Sequence, residues 1–224
     1  MAVFKARKKG KITSPAEFQP IKTHYLVVIL GQSRVGKTAI VQQFLNGEFS
    51  IDYRATVEEF HRSQYVMDDF VLTLDILDTS GSYEFPAMKR LAVTKGDAFV
   101  LVYSIEDAES FERVYREREF VLNIRPLGVP IVVVGNKCDL EGDRKVGREL
   151  AESVVIMDWE NEFLEVSAKT DISISDIFNK LLTQARAPGE TSICLERRRR
   201  SLPIFNSSPN VKDDLVLKSH SCVI

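Results

Sequence analysis

The apolar run Tyr25–Leu30 leads into Gly31-Gln32-Ser33-Arg34-Val35-Gly36-Lys37-Thr38. A one-sided stripe of Ile40, Val41, Phe44 and Leu45 follows. Reduced to its fixed points, the octet reads G-x-x-x-x-G-K-T between a predicted strand and a predicted helix. Two glycines permit a tight turn and close backbone approach. Backbone N–H groups of residues 34–38 can then point at phosphate oxygens, aided by the helix N-terminus. In such a loop Lys37 reaches the β- and γ-phosphates and Thr38 ligates Mg²⁺. A glycine turn with a chance lysine is the plainer alternative, but the strand–loop–helix context speaks against it.

The rest of the chain supports the same class. Apolar runs recur at 71–77, 98–103 and 130–135, short and rich in Val, Leu and Ile. Such runs suit parallel strands buried on both faces. Helical patterns cover 108–122 and 174–186, and Gly47 can end the helix that follows the octet. Residues 55–77 read as two successive strands, a hairpin at one edge. Alternation of strand and helix predicts an α/β fold with a mostly parallel sheet. With 44% hydrophobic residues, the 224-residue chain can form one core plus tails. A net charge of −2 gives no sign of a nucleic-acid binder. Three scattered cysteines exclude a disulfide framework, and no Cys or His spacing suggests a metal knot.

The base is indicated further on. The strand Val132–Gly135 ends in Asn136-Lys137-Cys138-Asp139, an N-K-x-D sequence. Guanine offers an N1–H and a 2-amino group, and the Asp139 carboxylate can accept both hydrogens. Facing adenine, that carboxylate would be desolvated and unpaired. Asn136 can bond the loop and the ring edge, and the aliphatic stem of Lys137 can lie over the base. Downstream, Ser167-Ala168-Lys169 follows a short strand, and the Ala168 N–H can donate to guanine O6. An ATP-using P-loop kinase fails on N-K-x-D.

These motifs, in this order, resemble the Ras-type small GTPases from about His24 to Arg186. Asp78-Thr79-Ser80-Gly81 stands where that family has D-T-A-G, and Asp78–Met88 looks most like the dexamethasone-induced Ras and Ras-dva branches. The resemblance implies a P-loop small G domain: a mostly parallel sheet, one antiparallel edge strand, and helices on both faces. It also implies roles. Thr56 would ligate Mg²⁺ and meet the γ-phosphate as the first switch, and Asp78 would hold Mg²⁺ through water. Gly81 would meet the γ-phosphate from the second switch, and Phe49 would pack against guanine. The expected nucleotide shell is thus Gly31, Gln32, Ser33, Arg34, Val35, Gly36, Lys37, Thr38, Ala39, Phe49, Asn136, Lys137, Asp139, Ser167, Ala168 and Lys169. Lys37, Thr56, Gly81 and Ser82 would serve catalysis, and Thr38, Thr56 and Asp78 the metal. GTP or GDP with Mg²⁺ would be the cofactors. Effectors would dock on Tyr53–Arg62 and Asp78–Met88, although Phe60 and His61 depart from the usual Ras pattern.

Two further departures concern hydrolysis. Ser82 follows Gly81 where the family usually carries a water-orienting glutamine. Ser33 and Arg34 replace small glycines, where they can crowd an incoming arginine finger. The expectation is a slow GTP hydrolase that switches at the membrane, with a persistently GTP-bound scaffold as the alternative.

Residues 1–23 form a basic arm, read as flexible, 24–187 the GTPase domain, and 188–224 a flexible basic tail. The tail carries Arg197–Arg200 among apolar neighbours, a signal for an anionic inner membrane surface or for nuclear import. The chain closes on Ser221-Cys222-Val223-Ile224, one residue short of a full prenylation motif, and Cys222 is the lipidation candidate. The expected location is the cytoplasmic face of the plasma membrane, with a cytosolic pool.

Overall fold

A computed structural model describes residues 22–66, 70–81, 86–125 and 128–185. In chain order these form β1 (His24–Gly31), α1 (Lys37–Asn46), β2 (Glu58–Val66), β3 (Val71–Thr79), α2 (Pro86–Lys95) and β4 (Ala98–Ser104). There follow α3 (Ala108–Ile124), β5 (Ile131–Asn136), α4 (Arg148–Ser153), β6 (Glu162–Glu165) and α5 (Ile174–Gln184). A π-helical turn, Val154–Asp158, extends α4.

The six strands form one sheet in the order β2-β3-β1-β4-β5-β6. Neighbours from β3 to β6 run parallel, and β2 pairs antiparallel with β3 at the edge. This is the expected α/β architecture. Every residue of β4 and β5 is buried, as continuous apolar runs require when helices cover both faces. On one face, Ile40, Val41 and Phe44 of α1 meet Ile177, Phe178, Leu181 and Leu182 of α5. The Phe44 and Phe178 rings stack at 3.7 Å between centroids. On the other face, α2, α3 and α4 contribute Ala92, Val93, Val114, Val121 and Ala151.

Local signals set the helix ends. Asp107 caps α3, its Oδ1 accepting from the N–H groups of Glu109 and Ser110 at 3.1 and 3.4 Å. Gly47 closes α1 at φ 72°, its N–H bonded to the Gln43 carbonyl. Strand order reverses at β1, which has β3 on one side and β4 on the other. The crevice beyond the carboxyl ends of the strands at such a point is where open α/β sheets take ligands. The octet, Asp78 and Asn136 all lie at that edge.

One buried charge cluster braces the second helix. Glu117 of α3 is 3% exposed. It accepts from Arg113 Nε at 2.8 Å, and its other oxygen faces the Lys89 ammonium of α2. Removing one member of such a set leaves uncompensated charge. Glu117→Ala is expected to cost about 3 kcal/mol. At this size that means a fall in melting temperature of roughly 6–12 °C, read by calorimetry.

Candidate functional site

The octet folds as a loop around the first turn of α1. Gly36 caps that helix in the left-handed region at φ 94°, with no side-chain cap on the first-turn N–H groups. Those donors are left for an anion. A Cβ on Gly36 would lie 2.2 Å from Asn136 Nδ2, so close approach as well as φ demands glycine. The Lys37 ammonium curls back over the loop and donates to the carbonyls of Gly31 and Gln32 at 3.0 and 2.9 Å. Burial lowers its pKa to about 8, opposed by the nearby Asp78 and Glu117 carboxylates.

That shift has a measurable consequence. Lys37 in the folded chain releases its proton near pH 8, the unfolded chain near 10.5. Between these values the unfolded state binds more protons, so stability rises with pH, and the burial penalty is fully present below pH 8. Phosphate favours the ammonium. Nucleotide binding is therefore expected to take up a proton above pH 8 and to weaken towards about tenfold per pH unit. Titration with fluorescent GDP from pH 7 to 9.5 tests this; a flat profile separates Lys37 from the phosphates.

Beneath the loop, three oxygen-bearing side chains from different elements converge. Thr38 Oγ1 lies 2.7 Å from Thr56 Oγ1 and donates to Asp78 Oδ2 at 2.5 Å. Asp78 is fully buried, and its Oδ1 has no hydrogen-bond partner among the described residues. Burial raises its pKa, while the Thr38 hydroxyl and Lys37 pull it down. A buried carboxylate oxygen without a donor suits a cation. Among the described residues no three His, Cys, Asp or Glu side chains cluster as metal ligands. Two hydroxyls, one carboxylate and ligand phosphates make the hard-oxygen set that Mg²⁺ takes.

Gly81, the expected glycine of the second switch, touches the loop directly. A Cβ on Gly81 would stand 2.1 Å from the Ser33 nitrogen, so only glycine admits this contact. Arg34 is exposed, and it takes φ 66° where glycine would be unstrained. Its guanidinium lies 5.1 Å from the centre of the Tyr53 ring.

The N-K-x-D and S-A-K segments, expected from the sequence to read the base, meet. Asn136 is 2% exposed; its Nδ2 donates to the Val35 carbonyl at 2.9 Å, and its Oδ1 accepts from the Ala168 N–H at 3.2 Å. That N–H, assigned to guanine O6 above, is thus directed at Asn136 by a long bond. Ser167 Oγ donates to Asp139 Oδ1 at 2.6 Å and accepts from the Thr170 N–H at 3.1 Å. The Cys138 N–H bonds the Val166 carbonyl at 3.0 Å, joining the two loops through the backbone. Lys137 sits in the left-handed region at φ 67°, its ammonium paired with Glu106 after β4. Glu106 and Tyr53 are partners that motif reading did not supply. Phe49 is 39% exposed, an aromatic face open to a ligand. Ala39 lies in the first turn of α1, and Lys169 is exposed beside Ala168. Ser82, Arg197–Arg200, Cys222 and the 1–21 stretch of the arm lie outside the described residues.

Known proteins carry the same sequence pattern. The Ras family profile matches residues 26–187. Human GTP-binding protein Rhes is 40% identical over 190 residues, covering 80% of this chain and 71% of Rhes. Mouse Rhes is also 40% identical, over 189 residues. Human GTP-binding protein Di-Ras1 is 38% identical over 161 residues, 71% of this chain and 80% of its own length. The likeness to Rhes agrees with the dexamethasone-induced branch read from Asp78–Met88. The loop, the switch contacts and the N-K-x-D strand lie inside the matched span, and the chain belongs to the Ras family of small GTP-binding proteins.

Proposed function

We propose that this chain is a membrane-associated signalling switch that binds Mg²⁺-GTP and GDP and hydrolyses GTP slowly. The observation that carries the reading is the convergence of Thr38, Thr56 and the unpartnered Asp78 Oδ1 beneath the phosphate loop. Thr38, Thr56 and Asp78 would hold Mg²⁺, which would supply positive charge to offset the negative charge of the phosphates. The chain's own part is positioning. Lys37 turns from the loop carbonyls to the phosphates, and the uncapped N–H groups of α1 hold them. Asp139, fixed by Ser167, reads the base. Thr56 and Gly81 give the γ-phosphate one contact from each switch, so its loss would release both loops.

Hydrolysis is slow in this reading because Ser82 is too short to orient the attacking water from the place where the usual Ras pattern has glutamine. Effectors would meet the Tyr53–Arg62 strip and the second switch. Phe60 is 55% exposed and Val57 76% exposed there, next to the β2 edge. Arg197–Arg200 and a lipidated Cys222 would bring the chain to an anionic inner leaflet, each arginine contributing about 1 kcal/mol.

Single-turnover hydrolysis tests the reading. The protein is loaded with GTP in Mg²⁺, and GDP is followed over hours. A rate at or below that of unassisted Ras, on the order of 10⁻⁴ s⁻¹, is expected. Ser82→Gln is expected to raise it several-fold, and an unchanged rate removes the argument from Ser82. Bound GTP that stays intact supports the second reading, a persistently GTP-loaded scaffold, which Ser82 and Ser33 favour. Failure to bind guanine nucleotide overturns both.

A further inference from the structure

We infer that Arg34 and Tyr53 form a latch between the phosphate loop and the first switch, with Arg34 the positioning residue that sets how long nucleotide is retained. This rests on the nucleotide-binding reading above. Between α1 and β2, residues 47–57 form neither helix nor strand, and Ile51 is 87% exposed. Contacts on two sides fasten this loop back to the body of the site. One is the Thr56 hydroxyl on Thr38. The other is the Arg34 guanidinium over the Tyr53 ring at 5.1 Å. The two lie three residues apart on the switch and four apart on the phosphate loop and α1, so together they close the loop along its length.

Arg34 stands at a left-handed backbone position, φ 66°, in the middle of a phosphate loop. A long side chain there carries strain that glycine would avoid. What it gains in exchange is reach. From this backbone the guanidinium leaves the loop and lies on an aromatic face half exposed to water, with Tyr53 at 55%. Arginine suits this contact because its planar, always-charged group stacks on rings. In this inference nucleotide leaves as the first switch lifts from the loop, and lifting it separates Arg34 from Tyr53. The contact therefore opposes release without touching the base.

Dissociation of a fluorescent GDP from the full-length Mg²⁺-loaded protein, chased with unlabelled GDP, tests the latch. Arg34→Asn keeps a residue that tolerates the left-handed backbone but removes the cation. Arg34→Asn and Tyr53→Ala are each expected to speed release about two- to five-fold, the range of an exposed cation–π contact. Tyr53→Phe retains the ring and should restore slow release. The double variant should release no faster than either single one. A melting temperature for Arg34→Asn at or above that of the parent, alongside faster release, separates the latch from a fold-stabilising role. Unchanged release in both single variants, with tight GDP binding in the parent, overturns the latch alone. Multiplying effects in the double variant also overturn it. A parent that binds no GDP overturns the latch and the nucleotide reading together.

Discussion

Asp139→Asn is expected to lower guanine-nucleotide affinity about 100-fold while leaving the fold intact. In the proposed reading the carboxylate would accept two hydrogens, from the guanine N1–H and the 2-amino group. Hydrogen bonds to a charged group contribute about 1.5–3 kcal/mol each; asparagine keeps one acceptor oxygen but no charge, so one bond is lost and the other weakened, together about 3 kcal/mol, a factor of about 100. The amide also turns an N–H₂ donor towards a donor edge, an arrangement that repels. Xanthine carries a carbonyl where guanine has its amino group, so the variant should gain xanthosine diphosphate binding as guanosine diphosphate binding falls. The fold should hold because Ser167 Oγ can still donate to the side-chain oxygen at residue 139, as it does to Asp139 Oδ1 at 2.6 Å. Competition of GDP and xanthosine diphosphate against a fluorescent nucleotide, with melting temperature in parallel, gives the answer. Guanine affinity within a few-fold of the parent would mean that the base does not sit against this residue.

Both phosphate and base motifs were legible because their determinants are local. A buried strand, two glycines at fixed spacing and an amphipathic helix are all written within Tyr25–Leu45, and N-K-x-D follows its strand directly. What could not be read is set by register and by sparse burial. Lys137 meets Glu106 because β4 and β5 run parallel with Ser104 opposite Asn136, a pairing that no local pattern announces. The α2 helix has no apolar stripe to find: Ala92 and Val93 are buried, while Met88 and Leu91 are half exposed. The short α4 and its π-helical extension bury Ala151 and Val155, too little to show as periodicity. The sequence shows an arginine at position 34 but not its backbone region, and it is φ that sends the side chain to Tyr53.

In the nucleotide-binding reading, Asn136 is where phosphate grip and base selection would become one event. Its amide is the shared bolt between three segments: it donates to Val35 of the phosphate loop, accepts from Ala168 of the S-A-K loop, and belongs to the base-reading strand itself. Gly36 must be glycine partly because this amide fills the space where a Cβ would stand. Asn136→Ala leaves the Val35 carbonyl and the Ala168 N–H buried without partners, at about 1–3 kcal/mol for each such group. A stability loss of about 2–6 kcal/mol is therefore expected. A second consequence should appear in binding. With the bolt gone, the phosphate loop and the base pocket can shift relative to each other, and a ligand that spans both must restore their alignment. GDP affinity is expected to fall about 10- to 100-fold, since restoring the alignment draws on the roughly 1–3 kcal/mol that each orphaned group carries. Asn136→Asp serves as a near-isosteric comparison: it keeps an acceptor for Ala168 but sets a carboxylate oxygen against the Val35 carbonyl, so it too should lose affinity. Denaturant unfolding and GDP titration are run on the same samples below the melting transition. A variant that loses stability yet holds GDP within twofold of the parent would show that the two loops bind independently, with Asn136 only a pin in the fold.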